Sequence, residues 1–132
     1  MPVSIIIPAF NEEKYIEETL KALPSGHEMI VVCNGCTDNT ASVAKKYTSN
    51  VIETKEKGVS MAKNLGASKA THEKLIFLDA DIIIRKDVIE TIEKSRYKLG
   101  CIKLKPNKNK LKFHIWCILR NLWGHLYGGG VI

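Results

Sequence analysis

The sequence predicts an α/β domain with a mostly parallel β-sheet and helices on both faces. Three observations carry that expectation. Short β-branched runs alternate with helix-spaced segments through the first two-thirds of the chain. Most of the runs are largely apolar, as strands covered on both faces are. Segments of helical length separate them, and strands joined in that way form βαβ units.

The elements follow in order. "VSIII" (3–7) reads as the first strand, ended by Pro8. In 11–23, Tyr15, Ile16, Leu20 and Leu23 recur at helical spacing. Asn11 stands at its start as an N-cap with acids behind it. Pro24, Ser25 and Gly26 stop that helix, and "EMIVV" (28–32) is the second strand. The second helix is expected over 38–47, opened by Thr37 or Asp38, and the third strand over 50–54. A third helix over 58–70 is weakened by Gly66, because glycine costs helix stability. "KLIFL" (74–78) is the fourth strand, and 86–97 the fourth helix with Val88, Ile89 and Ile92 apolar. A fifth strand is expected at 101–105, a loop at 106–110 and a broad apolar helical stripe at 110–127, ended by the glycines at 128–130.

The charge is unevenly placed. The chain is +6 overall, but residues 94–132 hold nine Lys or Arg and no acid, whereas residues 1–93 hold eleven basic and fourteen acidic residues. The patterned part is therefore acidic and the tail basic, which argues against a nucleic-acid partner. We expect an α/β region over 1–98 and a basic strand–helix segment over 99–132 that belongs to the same domain. The start lacks the basic region and cleavage site of a secretory signal. The four cysteines then read as reduced thiols in a cytoplasmic protein.

Ligands of parallel α/β sheets bind beyond the carboxyl ends of the strands. Three polar clusters fall there: "PAFNE" after the first strand, "CNGCTDNT" after the second and "DAD" after the fourth. Buried carboxylates are costly unless paired or metal-bound. Asp79 and Asp81, one residue apart where the fourth strand ends, can approach one point if the chain turns. Hard oxygen ligands of this kind suit Mg²⁺ or Mn²⁺ shared with substrate phosphates. A strand end with Asp81 capping the next turn is the alternative.

Four segments together resemble the inverting nucleotide-sugar glycosyltransferases of GT-A fold, the family that includes dolichol-phosphate mannose synthases. They are "SIIIPAFNEEKYIEETL", "EMIVVCNGCTDNTASVA", "KGVSMAKNLGASKA" and "LIFLDAD", in the family's order, over about residues 2–90. The resemblance implies a Rossmann-like sheet and transfer of a sugar from a nucleotide-diphosphate sugar to a lipid-linked or saccharide acceptor, with Mn²⁺ or Mg²⁺. It implies that Pro8, Phe10 and Glu12 line the nucleoside pocket and that Asn11, Asn34 and Asp38 also belong to the donor site; packing against the first helix is the other reading of Phe10. Asp79 would contact the ribose or the metal, and Asp81 would bind the metal. Lys63, where the family has Arg, would approach a phosphate; the other reading is a solvent-exposed helical lysine. Cys33 and Asn34 replace the family's usual pair of aspartates, so no base is inferred.

The resemblance also implies that the family's acceptor half follows the donor half. We therefore expect a donor-binding portion with its catalytic base absent, since no acid follows Glu93. A nucleotide-sugar-binding module without turnover is the second expectation. Cys33-x-x-Cys36 at a helix mouth supports a third, thiol–disulfide exchange, which requires a depressed thiol pKa. Lys103, Lys105, Lys108, Lys110 and Lys112 beside Phe113, Trp116 and Trp123 have the features of an interfacial helix, giving peripheral membrane contact through 103–127. A helix covering the sheet fits the same pattern. A homo-oligomer would cover any face left exposed.

Overall fold

The computed structural model describes residues 2–95, 100–101 and 130–131. The chain divides into two compact units, residues 1–93 and 94–132. In the first, β1 (Ser4–Ala9), β2 (Glu28–Asn34), β3 (Val51–Thr54) and β4 (Leu75–Phe77) form one all-parallel sheet in the order β3-β2-β1-β4. The helices are α1 (Ile16–Ala22), α2 (Thr40–Ala44), α3 (Val59–Lys69) and α4 (Lys86–Lys94). In the second unit, β5 (Gly100–Cys101) pairs in parallel with β6 (Gly130–Val131). Residue 130 is thus strand, although the glycines at 128–130 read as a helix end. The helix expected at 110–127, the basic tail and most of the fifth strand lie outside the described residues.

Strand order sets the layers. The connections β1–α1–β2 and β2–α2–β3 step in one direction, while β3–α3–β4 crosses back over β1 and β2. Right-handed crossovers then place α1 and α2 on one face and α3 on the other. The contacts agree: α1 packs on α2, and α3 packs on β1 and β2. The α3 face centres on Ile30, Val32 and Ala62. Alternation along β1 points Ile6 toward α3 and Ile5 and Ile7 toward α1. All three isoleucines are fully buried, and each contributes about 1.5–3 kcal/mol.

Several boundaries differ from expectation: α2 is shorter at both ends, β2 runs on to Asn34, and two further differences lie at the start of α1 and the end of β1. β1 runs through Pro8 to Ala9, with Pro8 opposite Val32. β4 pairs β1 only as far as Ile6, so beyond that point β1 has one neighbour. Such an edge-like place tolerates a residue without an N–H. α1 begins at Ile16, not near Asn11, and Tyr15 precedes it without a capping hydrogen bond. Asn11 instead adopts φ +54, a left-handed conformation that Asn tolerates better than most residues.

Candidate functional site

β1 and β4 lie side by side, yet the chain leaves β1 toward β2 and reaches β4 from β3. This is the switch point of the sheet, where a crevice opens beyond the carboxyl ends. The "PAFNE" turn leaves β1 there, and the Asp79-Ala80-Asp81 turn leaves β4 beside it.

Hydrogen bonds lock the first two turns together. Asn11 Oδ1 accepts from Thr37 N–H at 2.8 Å and from the Thr37 hydroxyl at 3.3 Å. Glu12 N–H donates to Thr40 Oγ1 at 2.8 Å, and Glu13 N–H to Asp38 Oδ2 at 3.2 Å. Glu13 Oε2 accepts from Asn39 N–H at 3.1 Å and its side-chain amide at 3.2 Å. Asp38 also accepts from Thr40 N–H at 3.0 Å and from the Thr40 hydroxyl. Burial opposes charge on Asp38, but these hydrogen bonds prevail and hold its pKa below the ordinary value. Asn11 thus shapes the edge through loop-to-loop bonds and caps no helix, whereas Asp38 joins the two turns and also accepts from the first N–H of α2, as expected of a residue that opens that helix.

The acidic turn is fixed from α1. Thr19, buried on that helix, donates its hydroxyl to the Ala80 carbonyl at 2.8 Å. Ile82 N–H donates to the Asp79 carbonyl at 3.1 Å, which closes the bend that the Asp-x-Asp spacing requires. Asp81 is exposed. Asp79 is about one-third exposed, and Lys63 Nζ of α3 lies 3.8 Å from its Oδ1. Lys63 is therefore not simply a solvated helical lysine. It brings the third sequence segment to the same edge.

Carboxylates concentrate here. The Glu12 pKa is raised, first by burial, then by the negative charges of Asp81 and Asp38. Like charges held together by the fold leave a deficit that a cation offsets. The oxygens are hard, which suits Mg²⁺ or Mn²⁺. Among the described residues, no three His, Cys, Asp or Glu side chains converge closely enough to hold an ion by themselves. Asp79 and Asp81 fit an ion that takes further oxygens from a bound ligand.

Phe10 is an exposed aromatic at this edge, 45% accessible, with Lys57 Nζ 5.4 Å from its ring centroid. Lys57 opens the third resemblance segment, but the sequence reading gave it no role, because only the fold brings it to Phe10. Pro8 is buried at the end of β1. Asn34 is buried too. Oriented to satisfy its neighbours, its amide donates to the Ala9 carbonyl and accepts from Gly58 N–H at 3.3 Å. It braces the start of α3 rather than presenting its amide outward.

Cys33 of the Cys-x-x-Cys pair lacks the electrostatics of an attacking thiol. Cys33 is 2% exposed, and burial, then the neighbouring Cys36, push its thiol up to about 12. Cys36 donates to the Ala9 carbonyl at 3.4 Å. A low-pKa attacking thiolate at Cys33 is excluded by that environment.

The acids of α4 are elsewhere. Glu93 lies 3.9 Å from His27, which precedes β2, and its carbonyl accepts from Lys74 Nζ at 2.9 Å before β4. Glu90 lines a cleft with Pro24 and His27. Both glutamates therefore sit at the amino-terminal edge of the sheet. Asp87 is forked by Arg85, with N–O distances of 2.9 and 2.6 Å.

Known proteins resemble this chain in sequence and fold. The chain is 33% identical over 126 residues to the 4,4'-diaponeurosporenoate glycosyltransferase of Staphylococcus aureus (strain USA300), across 85% of this chain and 33% of that protein. It is 34% identical over 79 residues to an uncharacterized glycosyltransferase of Mycobacterium tuberculosis (strain ATCC 25618 / H37Rv), across 60% of this chain and 36% of that one. The chain thus spans about a third of the length of these relatives. The crystal structure of S. aureus TarS in complex with UDP-GlcNAc superposes with a TM-score of 0.71 at 27% identity, covering 84% of this chain and 37% of that one. Glucosyl-3-phosphoglycerate synthase from Mycobacterium tuberculosis, in complex with Mg²⁺ and UDP, gives 0.50 at 26% identity, covering 62% and 34%. The glycosyl transferase family 2 model matches residues 4–102, from β1 past β5 and through every segment of this site, and the chain belongs to that family.

Proposed function

We propose that this chain binds the nucleotide-diphosphate sugar of an inverting glycosyltransferase that acts on a saccharide or lipid-linked acceptor. The observation that carries the reading is the convergence of Phe10, Glu12, Lys63, Asp79 and Asp81 at the switch point between β1 and β4. Phe10 offers a stacking face to the base, and Glu12 accepts from base N–H groups. Pro8 and Asn34 hold the backbone of the pocket floor, and Asn11 and Asp38 keep its two turns in register. Lys63 orients Asp79 toward the ribose and offers positive charge to the diphosphate. Asp79 and Asp81 hold Mg²⁺ or Mn²⁺. When bound, such an ion supplies Lewis-acid stabilisation of a diphosphate leaving group. The base that takes the acceptor's proton is not assigned to this chain.

A second reading, nucleotide-sugar binding without turnover, is favoured by the α4 acids. Glu90 and Glu93 sit at the opposite edge, and Asp87 is occupied by Arg85. Isothermal titration with a panel of nucleotide sugars, with and without Mn²⁺, tests the binding. Metal-dependent affinity that Asp81→Ala abolishes is the expected result. Equal binding of every nucleotide in excess chelator overturns the metal assignment, and no binding at all overturns the reading. Product formation with lipid-phosphate and saccharide acceptors separates transfer from binding alone.

A further inference from the structure

Two peptide units separate Asp79 from Asp81, and each is held by a different bond. The last rung to β1 comes just before them, where Leu78 N–H donates to the Ile6 carbonyl at 3.0 Å. The first unit is held within the bend, because the Asp79 carbonyl accepts from Ile82 N–H at 3.1 Å. The second is held from another element. The Ala80 carbonyl accepts from the Thr19 hydroxyl of α1 at 2.8 Å, across 61 positions of sequence. No other hydrogen bond to that carbonyl is present among the described residues. Thr19 and Ala80 are both buried. A threonine inside a helix can return its hydroxyl to a carbonyl of its own preceding turn. In α1 the Tyr15 carbonyl takes only the Thr19 N–H, at 3.3 Å, and the hydroxyl goes to the bend.

We propose that Thr19 is a positioning residue for the donor metal, setting through Ala80 the direction in which Asp81 presents its carboxylate. The inference rests on the metal reading above and adds a residue of α1 to it. A peptide unit is planar, so a pinned Ala80 carbonyl fixes the plane that enters Asp81. That fixes ψ of Ala80 and φ of Asp81, and with them the aim of the exposed Asp81 carboxylate relative to Asp79. The same helix starts from the nucleoside turn, since Tyr15 and Ile16 N–H groups both donate to the Glu12 carbonyl at 3.0 Å. α1 thus holds the acidic bend in register with the turn that carries Glu12. Groups that orient metal ligands without touching the ion typically change metal affinity ten- to hundredfold when removed.

The test is titration calorimetry of UDP, GDP and ADP against the full chain, in Mn²⁺ and in excess chelator. For the nucleotide that the wild type binds best, the ratio of the two affinities is the metal gain. Thr19→Val keeps the branched shape and loses the donor. It should cut the gain by about tenfold or more and leave binding in chelator unchanged. Thr19→Ser keeps the hydroxyl and should keep the gain, and Thr19→Cys, a weak donor, should fall between. Urea unfolding of each variant separates this from packing. A Thr19→Val chain that is less stable yet keeps its full gain overturns the proposal, as does equal weakening with and without Mn²⁺. Loss of the gain in Thr19→Ser overturns it too, because the hydroxyl is then not what counts. If Thr19→Val does not fold, Thr19→Cys carries the comparison, and a full gain there has the same force. A wild type that binds nucleotide with no metal gain overturns the metal assignment as well, and one that binds no nucleotide overturns the whole reading beneath.

Discussion

Glu12 reports the electrostatics of the site more directly than either aspartate of the acidic turn. Its raised pKa has burial as the larger cause and Asp81 and Asp38 as the smaller ones. In an NMR titration, Asp81→Asn should therefore lower the Glu12 midpoint only part of the way to its ordinary value. The sign for stability follows from proton linkage. The folded state holds this proton more tightly than the unfolded one, so the Glu12 contribution falls as pH rises from about 4.5 through the raised folded midpoint. Glu12→Gln removes that loss, and its stability relative to wild type should grow across the same window in denaturant titrations. At Cys33, burial predicts kinetic silence. At mildly alkaline pH, alkylation mapped by mass spectrometry should leave Cys33 unmodified in the native chain and label it after denaturation. Prompt native labelling of Cys33 would contradict the packing described.

Gly66 shows how a residue that weakens a helix in isolation permits its packing. α3 lies so close to the sheet that a Cβ at Gly66 would stand 2.4 Å from Ile6 Cγ2 and 3.2 Å from Val32 Cγ2. Gly66→Ala improves helix propensity by up to about 1 kcal/mol, but overpacking costs about 1–3 kcal/mol. A gap of 2.4 Å to a core isoleucine puts this site at the upper end. Net destabilisation of about 1–2 kcal/mol in urea unfolding is expected, and a stabilised variant would show that α3 sits further out. The same contact marks the limit of local reading. The order of strands and helices was legible because apolar runs and helical spacing are local signals. The path of α1 was not. Asn11 carries the local marks of a cap, yet its oxygen is taken by Thr37 across the sheet edge. Asp79 and Asp81 could be read as a site from their place at a strand end. Lys57 could not, because its partner Phe10 is 47 positions away and only the assembled turns bring them together.

At the scale of the molecule, the proposed function assigns nucleotide binding to one edge of the sheet and leaves the α4 glutamates at the other. Glu90→Gln and Glu93→Gln should leave nucleotide affinity unchanged, whereas Asp81→Asn should lose its metal dependence; calorimetry on the three variants checks the division. Charge divides the chain as well, with −3 in residues 1–93 and +9 in residues 94–132. If the tail serves a membrane surface, the chain should sediment with anionic vesicles at low salt and be released at high salt. Absence of binding at low salt ends that proposal. Among the described residues, no helix is long and apolar enough to cross a bilayer. β4 carries a further consequence. It is three residues long, and it meets β1 from about seventy positions away, whereas β1, β2 and β3 follow one another through short connections. Closing that long loop costs chain entropy with few ladder bonds in return. β4 is therefore expected to open before β1 and β2, carrying the Asp79–Asp81 bend with it. Amide exchange should be faster in β4 than in β1 and β2, and a nucleotide spanning the β1 and β4 ends should slow it. In that sense the ligand extends the sheet: the acidic bend, tied to α1 through Thr19, gains a second anchor when something bridges it to the turn after β1.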